Sequence, residues 1–140
     1  MAWRVEIPGA TPVFAGVELP APGPGQVIID IQATGLNFAD LLMIKGTYQD
    51  TPEFPLTPGL EVAGRIAAVG PGVADLSVGE RVLAFTGRDG LATALVTDAA
   101  RCVRLPDSMD AVTAAGFQIA YATSHLALVR RARLARGERL

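Results

Sequence analysis

Asn37 and Tyr48 are the side chains of this sequence best suited to holding charge on a reacting oxygen, because an amide and a phenol both donate hydrogen bonds. They flank a short apolar stretch and the proline-rich segment that follows it. Asp40, Glu61, Gln118, Thr123, His125 and Cys102 are further groups with chemistry of their own. Most also have a plain local reading. Asn37 suits a helix N-cap, Asp40 a local cap or pair, and Thr123 a bond to its own helix carbonyl. Glu61 opens a strand and is expected buried against an arginine, and Tyr48 can anchor the proline-rich loop. His125 reads as a helix residue satisfied locally, and Cys102 as a small core hydrophobe. The role of Gln118 stays open. One cysteine and one histidine permit no internal disulfide and no multi-cysteine zinc site.

The elements that must position these groups follow from periodicity and punctuation. Residues 3–7 alternate as a strand does, and the run Pro20-Ala-Pro-Gly-Pro-Gly25 reads as a turn. Residues 26–34 form a strong strand, with Val27, Ile29 and Ile31 on one face and Asp30 and Gln32 on the other. A short helix spans 37–45, with Leu41, Leu42 and Ile44 on its apolar side and Gly46 ending it. Residues 47–59 hold Pro52, Pro55 and Pro58 and must be irregular, with Tyr48, Phe54 and Leu56 as anchors. Strands are expected at 61–69, 81–85, 91–97 and 102–105, a spacing that suits a barrel or sandwich. Ser108 then caps a helix over 109–117, and a second helix runs over 119–132. Gly137 breaks the pattern, and 138–140 resemble a turn feeding a new strand.

Composition narrows the function classes. The 140 residues are one domain's worth of chain, half apolar and about a fifth charged, which excludes intrinsic disorder. Ten prolines and fifteen glycines, scattered without repeat, favour a turn-rich β domain. A net charge of −2 argues against a general nucleic-acid binder. Five of the twelve basic residues fall in the last eleven positions, which reads as a solvated helix end. Residues 111–129 carry no formal charge, but Thr113, Gly116, Gln118, Thr123, Ser124 and His125 interrupt them. Two buried helices are therefore expected there rather than a membrane span. The N-terminus is unlike a signal peptide, and the cytoplasm is the expected compartment.

Four stretches, in this order and spacing, resemble the medium-chain dehydrogenase/reductase superfamily, and within it the zinc-independent, zeta-crystallin-like quinone oxidoreductases. They are Gly35-Leu-Asn37-Phe-Ala-Asp40 with Gly46-Thr-Tyr48; Pro58-Gly59-Leu-Glu61-Val-Ala-Gly64 running on to Val78-Gly79-Glu-Arg-Val82; Leu105-Pro-Asp107; and Ala114-Ala-Gly-Phe-Gln118-Ile-Ala-Tyr121-Ala-Thr123. The resemblance implies a mainly β fold with short helices, a GroES-like β-barrel, ending in helices that would lead into a Rossmann domain outside these residues. It divides the chain into a catalytic domain over 1–117 and an inter-domain helix over 118–140. No Gly-x-Gly-x-x-Gly run follows a strand, and Gly70-Pro-Gly72-Val-Ala-Asp75 reads as a hairpin turn.

By the same resemblance the activity is NADPH-dependent reduction of a small-molecule quinone or enone, with Asn37, Asp40 and Thr123 toward the cofactor and Tyr48, with Asn37, toward the reacting substrate. Zinc relatives place a cysteine where this chain has Asn37 and a histidine where it has Leu60. An amide and an aliphatic chain are poor Zn²⁺ ligands, so no metal is expected. A conjugated acceptor needs no Lewis acid, since it spreads the incoming charge to an oxygen that donors can stabilise. Two alternatives stand beside this: a trans-acting enoyl reductase of fatty-acid or polyketide type, and a non-catalytic GroES-like binding module. The resemblance further implies a homodimer for the full-length enzyme, with neither nucleic-acid nor membrane partners.

Overall fold

The structure, a computed structural model, describes residues 1–139. Its frame is a five-stranded antiparallel sheet made of β3 (Gln26–Gly35), β4 (Glu61–Val69), β5 (Arg81–Phe85), β6 (Ala94–Asp98) and β7 (Cys102–Arg104). The strand order is β6-β3-β4-β5-β7, so β4 lies at the centre. A second sheet pairs β1 (Ala2–Arg4) with β2 (Val13–Ala15). Single bridges, Ala2 to Ala92 and Val5 to Leu56, tie the N-terminal segment to residues outside the strands of the larger sheet, and the two sheets do not close into a continuous barrel ladder. The expected strand over 3–7 is correspondingly short, because Val5 turns its hydrogen bonds onto the loop at Leu56.

Alternation in the strands builds the main core. Val27, Ile29, Val62, Ile66, Leu76, Val82, Ala84 and Leu95 pack on one side of the sheet. Fully burying each of the larger aliphatic chains contributes about 1.5–3 kcal/mol before the entropy of ordering it is counted. The opposite side carries a smaller cluster rich in alanine. Ala63 and Leu83 there meet Ala114 and Ala115 of α2 (Ala111–Ala115), so β4 is buried on both faces.

α1 (Phe38–Ile44) starts after Asn37 and stops at Gly46, which adopts φ +70°. Its buried residues are Asp40 and Met43, whereas Leu41 faces solvent. The expected apolar face is thus displaced by one position, because Asp40 reaches into the fold to hold Gly59. The cap of α2 is Asp110, not Ser108: its Oδ1 accepts from the Thr113 N–H at 2.8 Å. Arg81 explains the shift, since its guanidinium holds the Asp107 and Met109 carbonyls and fixes the preceding turn. The strand expected over 91–97 begins only at Ala94.

α3 (Gln118–His125) passes directly into a π-helical turn, Leu126–Arg131. Neither buries a residue, contrary to the expectation of a packed helix: α3 touches the sheet only through its first turn, at Glu61 and the end of β5, and the rest faces solvent. His125 is correspondingly exposed and takes no local partner among the described residues. No helix among these residues is long and apolar enough to cross a membrane. The strand expected to follow 138–140 lies, with Leu140, outside the described residues.

Candidate functional site

The site is built where the ends of β3, β4 and β5 meet α1 and α3. The register places Gly35 opposite Glu61 and Glu61 opposite Phe85. A Cβ on Gly35 would run into the Ala115 carbonyl and the Glu61 side chain, so only glycine leaves room for both. Glu61 is 3% exposed and serves as the hub. Its Oε1 accepts from Asn37 Nδ2 at 3.1 Å, and its Oε2 accepts from the Ile119 N–H at 2.9 Å. One buried carboxylate therefore ties β4 to the start of α1 and to the first turn of α3. The partners are an amide and a backbone N–H, where the sequence pointed to an arginine.

Asn37 sits at the N-cap of α1 with extended backbone, φ −124° and ψ 154°. Besides donating to Glu61, its Nδ2 lies 3.5 Å from the Gly35 carbonyl. Both amide hydrogens are thus directed at protein acceptors. Its remaining polar atom, Oδ1, is an acceptor that faces the Asp40 N–H in a capping box, which differs from the donor role expected of Asn37. Asp40 is equally committed. Its Oδ2 accepts from the Asn37 N–H and its Oδ1 from the Gly59 N–H, each at 2.8 Å, and it does not line the adjacent cleft. Asp40 is therefore a brace that fixes the α1 start against the 47–59 loop.

A cleft of roughly 560 Å³ opens in front of these groups, a size suited to a planar ring. Asn37, Tyr48, Gln118 and Thr123 supply its polar positions, and Phe38, Leu60, Phe85 and Ile119 wall it with carbon. The structure therefore brings Asn37, Tyr48 and Thr123 together and leaves Asp40 behind them. The hydroxyls of Tyr48 and Thr123 have no hydrogen-bond partner among the described residues; the hydroxyl that bonds back to its own helix is Ser124, to the Ala120 carbonyl at 2.8 Å. Past Tyr48, Leu60 and Phe85 the cleft continues into a second hollow of about 660 Å³, edged by Asp50, Arg88 and Arg101.

Sequence reasoning left one member of the site unassigned. Gln118 lines the cleft, and its Oε1 is buried without a partner among the described residues. The signal was the residue itself, a long amide at the start of a helix whose first turn is otherwise apolar. No cluster of three or more His, Cys, Asp or Glu side chains able to hold a metal ion occurs among the described residues. Cys102 lies away from the cleft, half-buried against the main core; burial, then the Asp98 carboxylate, pushes its thiol up to about 11.

Residues 23–123 match the family model described as alcohol dehydrogenase GroES-like domain. The "Synaptic vesicle membrane protein VAT-1 homolog" of Rattus norvegicus is 43% identical over 110 residues, which are 78% of this chain and 27% of that protein. "Quinone oxidoreductase-like protein 2" of Mus musculus is 36% identical over 116 residues, 83% of this chain and 33% of that one. Among solved structures, the quinone oxidoreductase of Thermus thermophilus, described together with its NADPH complex, superposes with a TM-score of 0.85 at 30% identity. It covers 98% of this chain and 42% of its own. The CurK enoyl reductase gives a TM-score of 0.88 at 28% identity over 98% of this chain and 45% of its own. The chain spans about a quarter to a third of the length of these curated relatives. With most of its residues inside the matched model, the chain belongs to the alcohol dehydrogenase GroES-like domain family of the medium-chain dehydrogenase/reductases.

Proposed function

We propose that this chain forms the substrate pocket and the nicotinamide-facing wall of a zinc-independent, NADPH-dependent reductase of quinones or enones. The observation that carries the reading is how hydrogen bonds are distributed around the cleft. Glu61, the carboxylate beside Asn37, has both oxygens committed to protein donors, while the Tyr48 hydroxyl that lines the same cleft is uncommitted. The position next to Glu61 is Leu60, and its aliphatic chain brings no ligand atom. The cleft thus offers a neutral donor and carbon walls, the surroundings a conjugated carbonyl requires.

The residues fit a nicotinamide ring: a buried acceptor on Gln118, a hydroxyl on Thr123, and flat apolar surface from Phe38 and Ile119. A nicotinamide bound among these residues would supply hydride for a carbon of the conjugated acceptor. Tyr48 donates its O–H to the carbonyl oxygen as negative charge gathers on it, which is stabilisation confined to the transition state. The proton that completes the reduction comes from solvent or from Tyr48 with solvent replenishing it. Phe85 and Leu60 exclude bulk water from the ring faces, which strengthens the Tyr48 bond. The NADPH complex of the Thermus protein supports the choice of cofactor.

A second reading, reduction of an enoyl thioester, draws on the likeness to the CurK enoyl reductase. Following NADPH oxidation by the full-length enzyme, with a quinone and, separately, with a crotonyl thioester, distinguishes the two. Turnover of the quinone supports the proposal, and turnover of the thioester alone replaces it with the second reading. No turnover of either removes both.

A further inference from the structure

We infer that Gln118 sets the specificity of the cleft, its buried Oε1 accepting a hydrogen bond from an N–H or O–H group on the molecule bound there. This rests on the reading above that the cleft takes a ring or a conjugated carbonyl. Gln118 Oε1 is enclosed and meets no donor among the described residues. Nearby donors are already used: Asn37 Nδ2 by Glu61, the Ile119 N–H by the same carboxylate, and the Tyr121 N–H by the Phe117 carbonyl. A buried acceptor left in that state destabilises a fold, and the first turn of α3 would form at least as well around an apolar side chain of equal length. The polar atom therefore burdens the structure at a place where it lines the cleft. A group of this kind is accounted for by the ligand that completes it.

The ligand chemistry follows from the inventory of the cleft. Asn37 adds no free donor, and the unpartnered acceptor beside it in the lining is Gln118 Oε1, which calls for a donor on the ligand. A primary carboxamide on a nicotinamide ring carries one, and so does the phenolic hydroxyl of a hydroquinone, the product of quinone reduction. The donor chemistry is the same, and its source is open to direct test.

The test compares binding to the protein and to its Gln118→Met variant, which keeps the length and apolar contacts and removes the acceptor. Two probe pairs are titrated by NMR: nicotinamide against 3-acetylpyridine, and hydroquinone against 1,4-dimethoxybenzene. The protein is expected to favour the donor-bearing member of one pair by about tenfold, and the variant to bind both members equally. A preference in the first pair places the donor on the cofactor ring, and in the second pair on the substrate. The variant is also expected to melt a few degrees higher, having shed an unpaired polar atom. Absence of preference in both pairs, or a preference that survives in the variant, overturns the inference. So does a lower melting temperature, which would mean that Oε1 serves the fold. Failure to oxidise NADPH with any quinone or enone would remove the proposed activity but leave these binding ratios and the melting shift unchanged.

Discussion

Tyr48 and Glu61 divide the labour at the cleft, one acting on the bound molecule and the other on its neighbours. Tyr48→Phe deletes a hydroxyl that holds nothing in the protein, so the melting temperature is expected to stay put. Turnover of a quinone by the full-length enzyme should fall about 100-fold, the usual cost of losing a donor on a developing oxyanion. An unchanged rate would take Tyr48 out of the chemistry. Glu61→Gln acts the other way round. The amide can satisfy only one of the two donors that Glu61 now serves, Asn37 Nδ2 or the Ile119 N–H. A loss of about 1–3 kcal/mol in urea denaturation is expected, together with a higher KM as Asn37 and α3 lose their common anchor. Cys102 provides a contrast from outside the site. With its thiol pushed from 9.0 to about 11, the folded protein holds roughly a hundredfold less thiolate at pH 8 than the unfolded chain. Alkylation should therefore be slow until the protein unfolds. The sign for stability follows: the unfolded thiol ionises first, so the native state loses ground as pH rises from about 9 to about 11.

Strands were legible in the sequence where one face is apolar and the ends are marked by glycine or proline. Residues 61–69 and 81–85 emerge with the expected bounds, because alternation over Val62, Ile66 and Val82 fixes which side is buried. Helix faces and caps were harder to read, since distant groups decide them. Asp40 turns inward on account of the Gly59 N–H, nineteen residues away, and α2 starts late because Arg81 grips the turn before it. The Asn37–Glu61 bond joins residues 24 apart, and no local pattern encodes it. Small residues within β4 show how tightly the sheet is drawn together. A Cβ on Gly64 would run into the Asp30 carbonyl and the Ile29 side chain, whereas one on Gly16 meets nothing within 4 Å. Gly64→Ala should cost about 1–3 kcal/mol by chemical denaturation, and Gly16→Ala should be neutral or slightly stabilising. Equal effects at the two positions would contradict the close approach of β3 and β4.

At the scale of the whole molecule, the cleft and the means of gripping a dinucleotide are separate matters. Glycine-rich segments are present among the described residues, but each serves a turn. The Gly70-Pro-Gly72 run leads out of β4 and returns toward β5, without a helix N-terminus aimed at a phosphate. The cleft itself offers a few uncharged hydrogen-bonding side chains among carbon walls, the chemistry of a ring and not of a pyrophosphate. α3 and the π-helical turn after it meanwhile present an exposed face, with Tyr121 stacked on Phe117 at 4.4 Å between ring centres and Leu126 and Val129 each half exposed. Affinity for a dinucleotide comes mainly from its phosphates and its adenosine half, whereas the nicotinamide is mainly oriented. The 140-residue polypeptide is therefore expected to bind NADPH no more tightly than about millimolar in a calorimetric titration. It should also fail to distinguish NADPH from NADH, because the 2′-phosphate that separates them lies far along the molecule from the ring. Stoichiometric binding at micromolar concentration, or a clear preference for the phosphorylated form, would show that these residues hold a phosphate site of their own. The arginines at 130, 131, 133 and 136 would then be the first to replace, since a solvated helix end would have turned out to be a binding surface.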